Sequence, residues 1–325
     1  MKRLLPILMF LSVMAFGGDA LTQIGTIPLP GVTGRFDHFA VDGPGRRLFV
    51  AALGNNTVEV LDVTGRNRIT SLRNFRKPTG VVFLPTSNQI GIAAGEDGVF
   101  KVFRGDDYKL AGSVQSLDDA DNARFDSNGR RIYVGYGSGA LAEIDLASLR
   151  QARTFKLPAH PESFQLEQKG RRIFINLPDA KQIAVLDREK GEVIATWPQK
   201  RFLANFPMAL DEPGHRLFVG CRHPPRLLVL ETESGTQTAD IGISGDTDDL
   251  FYDADRRRAY ISCGEGFIDV IGAVPGEALR LIQKLSTRDG ARTSWFSADL
   301  DQLYLAVPNR FGKAAELRIY KPSEP

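Results

Sequence analysis

The sequence predicts an all-β fold: a seven-bladed β-propeller of four-stranded antiparallel blades, its last blade closed by an N-terminal strand. Three observations lead there. A short apolar strand recurs seven times at a nearly constant interval, each copy sits among further strand-like segments, and a spare strand precedes the first copy. A fixed period of about 20–50 residues with strand content marks a repeat array and not a set of separate domains.

The recurring element is Arg46-Arg47-Leu48-Phe49-Val50, entered from the turn Asp42-Gly43-Pro44-Gly45. Clear copies are Arg130-Arg131-Ile132-Tyr133-Val134, Arg171-Arg172-Ile173-Phe174-Ile175, His215-Arg216-Leu217-Phe218-Val219 and Arg257-Arg258-Ala259-Tyr260-Ile261, with weaker ones at Asn88 and Asp301. The first apolar positions are 48, 90, 132, 173, 217, 259 and 303, giving spacings of 42, 42, 41, 44, 42 and 44. These strands are apolar nearly throughout, the pattern of a strand buried on both faces. Such a sheet packs between two neighbours, as blades do around a propeller axis.

The rest of each repeat follows. In the first, Phe39-Ala40-Val41 precedes the marker strand, a turn at Asn55-Asn56 leads to Val58-Glu59-Val60-Leu61-Asp62, and Gly65 opens a last strand at Arg68-Ile69-Thr70. Glycine, asparagine and aspartate hold the turns because tight hairpins need positive φ. Third strands recur at 99–103, 142–145, 183–187, 227–231, 267–271 and 317–320, after which the seventh repeat has no fourth strand. Residues 23–30 resemble the fourth strands at 152–158 and 193–198 and supply the missing one. Closure of the ring removes exposed sheet edges.

Two segments divide the chain. In residues 1–20, Lys2 and Arg3 precede the apolar run 4–16, and small residues Gly17, Gly18 and Ala20 follow. Basic, then apolar, then small is the pattern of a secretory signal peptide, with cleavage near Gly17 or Ala20. Spanning a bilayer takes about 18–20 apolar residues, so the expectation is an exported protein, periplasmic or secreted, and not integral to the membrane. Residues 21–325 form one propeller domain. The net charge of +2, from 41 basic and 39 acidic residues, argues against nucleic acid as a partner. Cys221 and Cys263 stand at the same repeat position in blades 5 and 6; two buried thiols are the default, a disulfide the alternative that an oxidising compartment permits. No nucleophile elbow, zinc helix, P-loop or dinucleotide fingerprint is present.

In a propeller the loops entering the innermost strands ring the mouth of a central channel. Ten residues before each marker stand His38, Gly80, Asn122, Ser163, Pro207, Asp249 and Thr293, and one residue earlier Asp37, Thr79, Asp121, Glu162, Phe206, Asp248 and Arg292. Four carboxylates and an arginine thus share one register. Gathered carboxylates raise each other's pKa unless a cation intervenes. Arg292, set between Asp248 and Asp37, with Arg35 and Lys77, supplies one. A divalent metal on Asp121, Glu162 and Asp248, with Asn122 and Asn205 as neutral oxygen donors, is another. His38 and His160 would suit a softer ion. The candidate ligand-binding set is Asp37, His38, Asp121, Asn122, His160, Glu162, Asn205, Asp248, Asp249 and Arg292. The loops between second and third strands add Asn55, Asp97, Asn176, Arg222, His223, Glu265 and Arg310 to the same face.

Three readings of this face compete. In the first it binds a small polar ligand, a metal or a protein partner. In the second the same acids serve a metal-assisted hydrolase or lyase, with His38 or His160 as general base. In the third they only cap strand starts and pair with arginines.

The stretch Arg47-Leu48-Phe49-Val50, continued through Asn55-Asn56-Thr57-Val58-Glu59-Val60-Leu61-Asp62, resembles the YVTN repeat of exported bacterial seven-bladed propellers, a group that includes the YncE-like proteins. The likeness runs over residues 23–320 and all seven repeats, and the Gly-His and Trp-Asp landmarks of WD40 blades are missing. Asp119-Ala120-Asp121-Asn122, His160-Pro161-Glu162-Ser163 and Gly245-Asp246-Thr247-Asp248-Asp249 look like segments of an uncharacterised branch. The resemblance implies the fold, and propellers of similar build include lactonases, lyases and cofactor-dependent dehydrogenases. It implies no settled activity, because fold does not decide function.

Overall fold

The computed structural model describes residues 19–324. Most of the segment read as a signal peptide lies outside them. Within the described residues, strands group into seven four-stranded antiparallel sheets. Blades 1 to 6 cover residues 39–72, 78–114, 123–156, 164–198, 203–242 and 247–286, each in simple meander order. Blade 7 is built from 294–322 plus the N-terminal strand Leu21–Leu29, which pairs antiparallel with Ala315–Pro322 as its outermost member. The propeller and its closure are as the repeat pattern predicts. Ala20, assigned above to the leader, is 3% exposed, and its carbonyl accepts the Ser323 amide at 3.0 Å. Packing therefore begins one residue before the expected boundary.

The marker strands are buried on both faces, and Leu48, Phe49, Phe174, Ile175, Phe218 and Val219 are all fully inaccessible. Among the described residues there is no single core. Seven apolar clusters form instead, each shared by two neighbouring blades around the ring. Cys221 lies in the layer between blades 4 and 5, Cys263 in the layer between blades 5 and 6. That separation explains why both are free, buried thiols and not a disulfide.

The arginine that opens several marker strands has a structural task. Arg47 Nε and Nη2 reach Asp42 at 2.9 and 2.7 Å, while the Gly45 amide in the intervening turn donates to the same carboxylate at 3.0 Å. Arg172 with Glu167 and Arg216 with Asp211 repeat the arrangement. Each also reaches the next blade: Arg172 Nη1 donates to the Thr232 carbonyl and Arg216 Nη1 to the Ala273 carbonyl, both at 2.8 Å. A guanidinium suits this work because its fixed fork satisfies a carboxylate and a carbonyl together. No helix among the described residues is long and apolar enough to cross a membrane.

Candidate functional site

All seven residues of the predicted mouth register, Asp37, Thr79, Asp121, Glu162, Phe206, Asp248 and Arg292, line one cavity of about 220 Å³. His38, Asn122 and His160 line it too, with Arg35, Lys77, Asp119 and Arg222. Close approach of the blades builds it. A Cβ on Gly80 would stand 2.2 Å from the Asp121 carbonyl oxygen and 2.9 Å from the Ala123 nitrogen, so only glycine lets blades 2 and 3 meet here. The Thr79 hydroxyl adds a bond to the Ala120 carbonyl at 2.7 Å.

Most of the mouth's acids are paired. Arg292 Nε lies 3.0 Å from Asp248, and its Nη1 lies 2.8 Å from Asp246. Arg222 takes the other side of Asp248 while stacking on Phe206, its guanidinium carbon 3.8 Å from the ring centroid. The sequence placed Arg292 between Asp248 and Asp37; Arg35 reaches Asp37 instead, at 3.3 Å, and Lys77 reaches Asp119 at 2.8 Å. Burial, then the charges of Asp121 and Asp248, still drive the Asp37 carboxyl well above the ordinary aspartate range.

His160 and Glu162 occupy the blade 4 entry. The His160 Nδ1–H donates to the Gly137 carbonyl at 2.6 Å, turning Nε2 toward Asp121 at 3.7 Å. Burial opposes charge on the ring, yet Asp121 and the Gly137 carbonyl together raise it to about 9. Asp121 is likewise opposed by burial, but His160, His38 and Lys77 hold it below the usual value. Glu162 differs. Alone among the mouth carboxylates it has no ion-pair partner among the described residues, and burial followed by repulsion from Asp121 pushes it up to about 8. Asn122, which lines the same cavity, has its side-chain oxygen Oδ1 buried with no donor.

Two members of the candidate set lie elsewhere. Asn205 is fully buried and donates to Asn176 Oδ1 at 2.9 Å and the Gln182 carbonyl at 3.2 Å. The register slips between Asn205 and Met208, and the bulge turns Asn205 into the seam with blade 4. Asp249 sits deeper, in a second compartment of about 290 Å³, where it accepts the Ser294 amide at 2.7 Å. Burial, then Asp248, raises it to about 7. His38 joins the two levels, with Nε2 3.5 Å from Asp37 and Nδ1 3.9 Å from Asp249. Asp121, Glu162 and Asp248, the suggested metal ligands, share the mouth. Among the described residues, however, no group of three or more such side chains stands close enough to hold an ion. Of the hairpin-loop residues, Arg222 alone reaches the mouth; Asp97 pairs with Arg76, Glu265 accepts the Gly245 amide, and Arg310 pairs with Asp289.

Sequence reasoning missed Arg124. It stands eight residues before its marker, a position occupied in the other blades by Ala40, Val82, Gln165, Ala209, Phe251 and Trp295. This register was legible, since alternate residues of a strand share a face. Arg124 is its only charged member.

No family model matches the chain, and no curated protein matches it. Solved structures do. A chain of Kuenenia stuttgartiensis hydrazine synthase superposes with a TM-score of 0.77 at 14% identity, covering 89% of this chain and 98% of that one. A chain of the mitotic checkpoint complex superposes with a TM-score of 0.79 at 12% identity, covering 99% of each. At such identities the likeness establishes the fold: a seven-bladed β-propeller.

Proposed function

We propose that this is an exported propeller of the YVTN-like group that binds a small polar ligand rich in hydrogen-bond donors at its channel mouth. The carrying observation is Glu162, a buried carboxylate without a cation in a cavity where every other acid has one. The orphaned Asn122 oxygen adds a second unmet acceptor. An unmet buried acceptor costs free energy that an arriving donor returns. An ammonium or polyol group supplies donors of the kind Glu162 lacks. The seven-fold repeat and the basic-apolar-small N-terminus support the group and the export, and the periplasm or the outside medium is the expected location.

A panel of small amines, amino sugars and polyols, read by calorimetry, tests this reading. Above pH 8, where Glu162 is ionised, the expected result is saturable binding by at least one member, weakened about tenfold or more in Glu162→Gln, since hydrogen bonds to charged groups carry that much. Failure of the whole panel on folded protein, or undiminished binding by the variant, would end it.

One observation favours an enzyme as second reading. Glu162 at about 8 and His160 at about 9 share a cavity, and groups titrating near neutrality suit proton transfer. A hydrolase or lyase acting on lactones is the version to assay, with elemental analysis of natively purified protein beside a Glu162→Ala comparison. Metal-free protein with no lactone turnover would remove its metal-assisted form.

A further inference from the structure

We propose that the compartment below the mouth is a second binding site, for a small monocarboxylate bearing an aromatic or other apolar group, with Arg124 as its anchor. The compartment is separate in chemistry from the mouth. It sets a broad apolar wall against a smaller polar lining that includes Arg124, Gln165, His38 and Asp249. Among the described residues Arg124 has no carboxylate at ion-pair distance. One N–H, on Nη1, donates to the neighbouring Ala123 carbonyl at 2.9 Å, and the guanidinium carbon lies 5.5 Å from the Phe164 ring centroid. No nitrogen of Arg124 is both sealed from solvent and unpartnered, so its remaining donors face open space.

The arginines of the mouth are neutralised by Asp246, Asp248 and Asp37. Arg124 has no such contact partner: burial disfavours its charge, and Asp249 and Asp121 support it only from beyond ion-pair distance. A guanidinium presents two parallel N–H groups, the spacing a carboxylate accepts. A single cation suits a monoanion and falls short of a phosphate dianion. Asp249, the compartment's one acid, is already bonded to the Ser294 amide, and its raised value reduces repulsion of an arriving anion near neutral pH. The walls supply the remaining selection. Phe251 and Trp295 pack with centroids 5.6 Å apart, and Met208 and Phe296 complete an apolar surface. Aromatic lining with a few placed polar groups is how small-molecule sites fix orientation. Access is available from the far face, because Arg124 and Trp295 also line the next cavity along the axis, of about 360 Å³.

The test uses the full propeller and two probes that differ in charge, 4-fluorobenzoate and 4-fluorobenzamide, followed by fluorine NMR titration. Wild-type protein is expected to bind the acid saturably at millimolar concentration or below, and the amide about tenfold more weakly. Arg124→Gln is expected to abolish that preference, while Arg150→Gln, on an outer strand, leaves it intact. Circular dichroism and melting temperature establish whether Arg124→Gln is folded; if it is not, the acid-to-amide ratio on wild-type protein decides. Equal binding of the two probes, or no saturable binding of the acid, overturns the proposal. Glu162 has no part in this measurement, so its outcome is independent of the reading of the mouth.

Discussion

Replacing Glu162 by glutamine removes the ionisation while keeping the shape. The wild-type carboxyl ordinarily titrates near 4.5 and is pushed up to about 8 by burial and by Asp121. Between those values the folded chain holds a proton that the unfolded chain has released, so stability is present at the acid end and lost as pH rises. Each pH unit inside the window costs about 1.4 kcal/mol. From pH 5 to pH 8 a fully insulated group would lose about 4 kcal/mol, and water in the open mouth reduces that to about 2 kcal/mol. For a domain of this size each kcal/mol moves Tm by about 2 °C, so Glu162→Gln should melt about 4 °C above wild type at pH 8 and level with it at pH 5. Thermal denaturation followed by circular dichroism at both pH values measures this. An equal difference at the two pH values, or a variant less stable at pH 8, would refute the placement of Glu162 as an unpaired acid. His160 works in the same direction: its stabilising charge is complete below its ordinary 6.5 and fades as pH climbs through about 9.

Other outcomes follow from the frame of the propeller. Arg172→Ala strands the nearly buried Glu167 carboxylate and cuts the bond to Thr232, so urea denaturation should report a loss of about 2–4 kcal/mol. Gly80→Ala drives a methyl group into the backbone at Asp121, and the raised value of His160, read by NMR titration, should fall as that pair separates. The thiols of Cys221, pushed up to about 12, and Cys263, also raised, are desolvated; Ellman's reagent should leave both untouched until denaturant is added.

How much of this the sequence disclosed depends on what each feature rests on. Blade number and ring closure follow from periodicity and from a leftover strand, and both are properties of spacing. The mouth register was equally legible, because equal offsets from equivalent strands converge on one axis: Asp37, Asp121, Glu162, Asp248 and Arg292 meet as counted. Asn205 fell outside because a bulge shifts its strand, and a local slip leaves no trace in a count of residues. Asp249 fell one level deeper, beyond a similar irregularity between Thr247 and Asp249. The cations Arg292, Arg35 and Lys77 and the Arg292–Asp248 pair were legible, but which acid Arg35 and Lys77 reach, and the part of Arg222, were not. Arg35, Arg222 and Lys77 reach the mouth through long side chains whose direction no offset specifies. Arg124 was within reach of the same counting method, carried two residues further along the strand.

The pairing of Leu21–Leu29 with Ala315–Pro322 has a consequence in time. Among the propeller's strands, Leu21–Leu29 comes first in the sequence and Ala315–Pro322 last. Until the two pair, the seventh sheet lacks its outer edge, and blades 1 and 7 have no common layer to bury. The latch thus ties completion of the ring to the two propeller strands that lie farthest apart in the sequence.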